Sequence, residues 1–273
     1  MITEQDFSAL GEEISREAGV MDGHHGYFVT HAPRLFKACF LFGLLENKLG
    51  HVLEIGPFFG YTPFLLRPAS TSYTTLEVGD PVVEPLKPLY EKHGIKSHFA
   101  DLFESFGPTS TAEHRLPFAD CSFDTVLCWE TMEHFNFNPV KFVKELFRVL
   151  KPGGRAHITV PNKASFQSIL ALISGRSERQ LIEHYYTFED YESGGKKAFH
   201  GFHWREYSAP ELTLLYSHAG FVIEDCGTFV AFQARSGVSL PNKIARKANV
   251  VLARIFRRYG THVYLTAARQ HEA

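Results

Sequence analysis

Two hydrophobic patterns alternate along this chain, one recurring at helical spacing and one of short unbroken apolar runs, and together they predict its elements. Residues 3 to 17 mix acidic and apolar positions at helical spacing and end near Gly19, which predicts an amphipathic lead-in helix. Met21 to His31, with Gly23, His24, His25, Gly26, Tyr27 and His31, reads as a loop lining a cleft, and Pro33 to Lys48 as a largely buried helix. Apolar runs at 52–55, 72–78, 95–100, 123–128, 155–160, 221–232 and 261–268 read as strands. Between them lie helix patterns opening at Tyr61 and at 81–93, 139–150, 163–173 and 208–218, the last started by a Ser208/Glu211 capping box. Strands alternating with helices predict an α/β protein on a mostly parallel sheet.

Composition changes this picture little. At 273 residues, 44% hydrophobic and 21% charged, the chain is an ordinary globular protein able to bury a sizeable core. A formal net charge of -2 removes any global attraction to nucleic acid or membranes, so such a preference must come from a local patch. The patch present is Pro241 to Gly260, where Ile244, Ala248, Val251, Leu252, Ile255 and Tyr259 share one helical face among Lys243, Arg246, Lys247, Arg254, Arg257 and Arg258. Such a basic amphipathic helix either packs its apolar face on the domain or makes a peripheral membrane contact, each basic residue then contributing about 1 kcal/mol. No basic or aromatic-stacking module accompanies it, so nucleic acid is not an expected partner. Cys39, Cys121, Cys128 and Cys226 are scattered without C-x-x-C pairing, which predicts neither a disulfide framework nor a zinc site and fits a reducing, cytoplasmic setting. The acidic N-terminus is not a secretory signal, and the apolar window Leu35 to Leu45 is too short to span a bilayer.

Candidate chemistry centres on His51 to Thr62, H-V-L-E-I-G-P-F-F-G-Y-T, a buried strand, a glycine-containing turn and a helix start. That is the unit in which an open α/β sheet holds a nucleotide-like ligand beyond its strand ends. The spacing E-x-G-x-x-x-G, from Glu54 through Gly56 to Gly60, is not the dinucleotide fingerprint, because Phe58 takes the middle glycine position. Glu77 ends the second strand 23 positions beyond Glu54, where an acidic residue accepts hydrogen bonds from ribose hydroxyls. The stretch resembles the first motif of the Rossmann-like S-adenosylmethionine-dependent methyltransferases. Further on, L-P-F-x-x-x-S-F-D, then E-x-x-E-H, then E-L-F-R-V-L-K-P-G-G-R-A-H-I-T-V-P-N resemble the large group that includes the quinone and sterol methylating enzymes. The resemblance covers about residues 50 to 162 well and the remainder loosely. It implies a doubly wound, mostly parallel seven-stranded sheet with an N-terminal helical cap (1–50), a donor-binding core (51–162), an acceptor-side insert or lid (163–207) and a C-terminal part (208–273) carrying the inserted helix at 241–259.

The resemblance also implies S-adenosylmethionine as methyl donor, held by Glu54, Gly56, Gly60 and Glu77, with Asp101 accepting from the adenine amino group and the Leu102 N–H meeting a ring nitrogen. Glu113 is the rival to Asp101, and Trp129 either walls the adenosyl pocket or is a core aromatic. Methyl transfer is an in-line displacement that needs alignment more than covalent help, and a hydroxyl acceptor also needs a general base. His134, after the fourth strand, is the candidate, with His200 and His203 in the aromatic, histidine-rich insert as second choices. Glu130 and Glu133 are spaced to pair on a metal with help, but methyl transfer itself requires none and none is expected. The expected activity is O-methylation of a small-molecule, sugar or lipid-linked acceptor; methylation at carbon or nitrogen and a non-catalytic donor-binding subunit are the alternatives.

Overall fold

The computed structural model describes residues 2–21, 23–77, 81–107, 114–175, 192–193, 196–197, 203–231, 250–252, 255–256 and 258–271. Helix α1 (Glu4–Glu17) starts at a reciprocal cap, the Thr3 hydroxyl accepting from the Asp6 amide at 3.2 Å and the Asp6 carboxylate accepting from the Thr3 amide at 2.8 Å. Helix α2 (Gly23–Leu41) corrects the expected loop at 21–31 and the expected helix at 33–48, because one helix runs through Pro33 and stops earlier. A proline inside a helix removes one hydrogen bond to the carbonyl four residues back. That residue, Val29, is exposed, so water can serve the freed carbonyl. The buried side of α2, through Phe28, Ala32, Leu35 and Cys39, packs with Phe7 and Ile14 of α1.

The sheet follows: β1 (Gly50–Ile55), β2 (Ser70–Glu77), β3 (Ile95–Phe99), β4 (Phe123–Trp129), β5 (Leu150–Pro161), β6 (Val222–Phe229) and β7 (His262–Ala268). Their order is β3-β2-β1-β4-β5-β7-β6, with β7 antiparallel to both neighbours. The connecting helices are α3 (Thr62–Leu66), α4 (Lys87–Lys92), α5 (Leu102–Phe106), α6 (Pro139–Val149), α7 (Phe166–Ile173) and α8 (Ala209–His218). A separate ribbon pairs Glu192–Ser193 with Lys196–Lys197. The doubly wound, mostly parallel seven-stranded sheet is thus as expected.

Alternation along the central strands fills both faces. Leu53 and Ile55 of β1 with Val126 and Cys128 of β4 face α6 and α8, through Phe142, Leu146, Leu212 and Tyr216. Val52, Leu127 and Trp129 face the other way, toward the cluster built on α1, α2 and α3. The winding reverses between β1 and β4, which pair directly and parallel, and in open α/β sheets the crevice beyond the carboxyl ends at such a switch point is where ligands bind.

Some boundaries move. β5 begins at Leu150, taking in the K-P-G-G turn with a register irregularity between Phe123 and Thr125. β6 ends at Phe229 rather than 232. The expected capping box at α8 is present, the Glu211 carboxylate accepting from the Ser208 amide at 2.9 Å. Glu113, most of the insert including His200, and 241–249, 253–254 and 257 of the expected basic helix, Arg254 and Arg257 among them, lie outside the described residues. At the end of that helix Val251, Ile255 and Phe256 are exposed. Among the described residues no helix is long and apolar enough to cross a membrane.

The Arg269 guanidinium ties the chain end to this frame, Nη1 donating to the carbonyls of Phe147, Arg148 and Leu150 at 3.1, 3.2 and 2.9 Å. The first two belong to the last turn of α6, whose carbonyls lack intrahelical partners, and the third opens β5. Arg269→Met should therefore lower stability by about 2 kcal/mol in urea unfolding, the scale of lost charge-assisted hydrogen bonds, and Arg269→Lys should recover part of it.

Candidate functional site

The crevice has a floor fixed from below. Glu54, 2% exposed, ends β1 beneath the turn and accepts hydrogen bonds from the Thr62 hydroxyl at 2.5 Å and the Tyr73 hydroxyl at 2.6 Å. It thereby joins β1, the start of α3 and β2. Burial pushes its carboxyl up to about 7, against the lowering effect of those two bonds. Above it, Gly56 has φ of 62°, and a Cβ there would lie 3.0 Å from Thr131, so only glycine fits the turn without strain. Phe58 takes φ of 47° and Tyr61 φ of 56°, both unfavourable for side chains of this size. Their rings find packing in return. Tyr61 is buried against Phe28 and bonds through its hydroxyl to Ser15 of α1 at 2.9 Å, while Phe58 lies edge-on to Tyr27 of α2 at 4.8 Å. The aromatic residues of the turn are where the helical cap docks.

Glu77 is buried at the end of β2 and reaches back to the turn, accepting from the Phe58 amide at 3.3 Å and the Tyr90 hydroxyl at 3.4 Å. Asp101 and Leu102 follow β3 at the same edge, the former half-buried and the latter at the first position of α5. Glu54, Gly56, Gly60, Glu77, Asp101 and Leu102 thus gather around the exits of the three adjacent strands β1, β2 and β3. Trp129 takes the core alternative: its indole N–H donates to the His157 carbonyl at 3.0 Å and its ring stacks on Phe42 at 5.9 Å.

The second half of the crevice follows β4. Glu130, at φ of 51°, is paired with Arg34 of α2 at 3.1 Å and lies 3.5 Å from His262 at the start of β7. Burial drives its carboxyl upward, but the Arg34 and His262 charges outweigh it and hold the group below its ordinary value. Three residues on, Glu133 is buried and shifted well upward, first by burial and then by the Glu130 charge. His134 lies 3.9 Å from Glu133, and its ring meets His203 at 4.9 Å, so both imidazoles named from sequence come together. Sequence reading missed Arg34 and His262, and put Tyr27 in a cleft-lining loop rather than on a helix. Tyr27 and Arg34 fall with His24 and His31 at helical spacing, a signal hidden once Pro33 is taken as a boundary.

The methyltransferase domain family matches residues 53–158. Over those residues the chain is similar to a methyltransferase domain, and its curated relatives are named as S-adenosylmethionine-dependent. A Mycolicibacterium smegmatis protein, named as a probable S-adenosylmethionine-dependent methyltransferase, is 28% identical over 174 residues, 64% of this chain and 52% of that protein. The chain therefore spans about half the length of that relative. Solved structures share the fold of the methyltransferase domain. A Haloferax volcanii protein in complex with the Trm112 methyltransferase activator has a TM-score of 0.54 at 17% identity, covering 97% of this chain and 98% of its own. An S-adenosylmethionine-dependent methyltransferase from Mesorhizobium loti has a TM-score of 0.54 at 16% identity, covering 88% of this chain and 98% of its own.

The Glu54 carboxyl gives this domain a measurable pH signature. A folded pKa raised from 4.5 to about 7 means that the native state holds a proton the unfolded chain has released. Its contribution is fully present below 4.5 and lost as pH rises through 7. Glu54→Gln keeps the neutral shape at all pH values. The stability difference, variant minus wild type, should rise by about 2–3 kcal/mol between pH 5 and pH 8 in urea melts without ligand.

Proposed function

We propose that this chain transfers the methyl group of S-adenosylmethionine to a hydroxyl oxygen of a small-molecule, sugar or lipid-linked acceptor. The observation that carries the donor half is the placement of Glu77: a buried carboxylate at the β2 exit, tied to the amide of the β1 turn. In that position it accepts hydrogen bonds from ribose hydroxyls. The Gly56–Gly60 turn then lies along the donor's amino-acid end, and Asp101 with the Leu102 amide takes the adenine edge. The domain match over 53–158 supports the same use of these residues.

The acceptor half is supported by the imidazole and carboxylate groups after β4. An oxygen acceptor must lose a proton as it attacks, and Glu133, His134 and His203 gather where that proton would leave. The oxygen takes the methyl carbon, the carbon–sulfur bond breaks with its electron pair going to sulfur, and S-adenosylhomocysteine remains. Helix α2 reaches this half through Arg34, which pairs with Glu130 at 3.1 Å.

Calorimetric titration with S-adenosylmethionine tests the donor half. Glu77→Ala should weaken binding about 10- to 100-fold, the loss of one or more charge-assisted bonds, beyond any change in melting temperature. A large melting loss with unchanged affinity contradicts the assignment. Methyl-labelled donor offered with hydroxylated, amine and activated-ring acceptors tests the rest: label on oxygen is the expected result, and label confined to nitrogen or carbon contradicts it.

A further inference from the structure

We propose that Glu133, His134 and His203 bind a divalent transition-metal ion at the carboxyl edge of the sheet, where the ion receives the acceptor's oxygen. One ligand atom from each lies within 4.8 Å of the others. An ion bonded at about 2.0–2.2 Å to each ligand holds them at most about 4.4 Å apart, so a small rotation of the half-buried imidazoles closes the set. Glu133 and His134 come from the 3-10 turn after β4, and His203 from the segment before α8. Backbone bonds hold these segments together, the Trp204 and Arg205 amides donating to the Glu133 carbonyl at 2.7 and 3.3 Å.

An independent observation points to a ligand. Glu133 is 1% exposed, and its Oε2 has no hydrogen-bond partner among the described residues. A buried carboxylate in this state is costly unless a positive charge reaches it. Arg34 and His262 are directed at Glu130, 3.1 and 3.5 Å away. A cation in this set would give Oε2 the partner that no described residue supplies. Glu206, with Oε1 3.4 Å from His203 Nδ1, is the kind of outer carboxylate that orients a ligating imidazole. Two imidazoles with one carboxylate suit zinc, manganese, iron or cobalt better than calcium. The imidazoles are each about one-third exposed, which leaves coordination positions open toward the crevice.

The use of the ion in methyl transfer rests on the function proposed above; its binding does not. A hydroxyl on such an ion acidifies, as bound water does, and can release its proton to solvent near neutral pH. The resulting oxygen then attacks the methyl carbon. This departs from the sequence-based expectation of no metal.

The test is titration of chelator-treated full-length chain with Mn2+ alone, followed by electron paramagnetic resonance, without donor or acceptor, so that failure of methyl transfer and failure of cation binding are read apart. Wild type should bind one equivalent saturably. Glu133→Gln and His203→Ala should each weaken that binding at least tenfold, while the exposed α8 variant His218→Ala leaves it unchanged. Retained circular dichroism in His203→Ala, a site about one-third exposed, shows that the fold persists. Absence of saturable binding in wild type, or affinity unmoved in both ligand variants, overturns the proposal.

Discussion

The buried Glu54 carboxylate is the constraint on which the donor side of this molecule depends. Its oxygens accept from Thr62 and Tyr73, residues that belong to the elements on either side of the glycine turn. The turn cannot shift without breaking one of those bonds in a site closed to water, where an unpaired polar group costs about 1–3 kcal/mol. Glu54 thus braces the turn from below, and in the proposed donor site Glu77, one strand away, is the carboxylate that meets the ligand. Separate environments give two neighbouring strand-end glutamates different tasks.

The same turn explains the departure at the middle glycine position. A glycine there would adopt a left-handed conformation without strain, yet Phe58 and Tyr61 hold positive φ angles. Strain of this kind persists only where surroundings fix it. Here the surroundings are α1 and α2, gripped by Tyr61 through Phe28 and Ser15, and by Phe58 through Tyr27. Docking the cap in turn brings Arg34 onto Glu130, so the cap held by this turn also sets the electrostatics after β4. With Glu130 held ionised by Arg34, burial and the Glu130 charge push the neighbouring Glu133 carboxyl toward its neutral form.

Much of this was legible from residue pattern. Buried parallel strands announce themselves as apolar runs, so β1 to β4 fell within a few residues of expectation. Glycine and acidic spacing put Gly56, Glu77 and Asp101 at strand exits, where the structure has them, because those positions are set by local chain geometry. The continuity of α2 was not legible, since Pro33 ordinarily marks a boundary and only the exposure of Val29 shows how the helix tolerates it. Nor could the spacing show that Arg34 and His262, separated by most of the chain, converge on Glu130; that contact exists only after the sheet and cap assemble. Trp129 is a similar case. Its place on β4 allowed either a pocket wall or the core, and the His157 carbonyl and Phe42 ring decide for the core.

Backbone hydrogen exchange across residues 56–62, with and without S-adenosylhomocysteine, addresses the central claim that a pre-fixed turn forms the donor floor. The Gly56 amide, bonded to the Leu76 carbonyl at 2.8 Å, should already exchange slowly in the free protein. Added product should extend protection through Phe58 to Gly60 and to the strand exits at Glu77 and Asp101. Fast exchange across the turn that the product leaves unchanged, with protection appearing elsewhere on the molecule, would contradict the account.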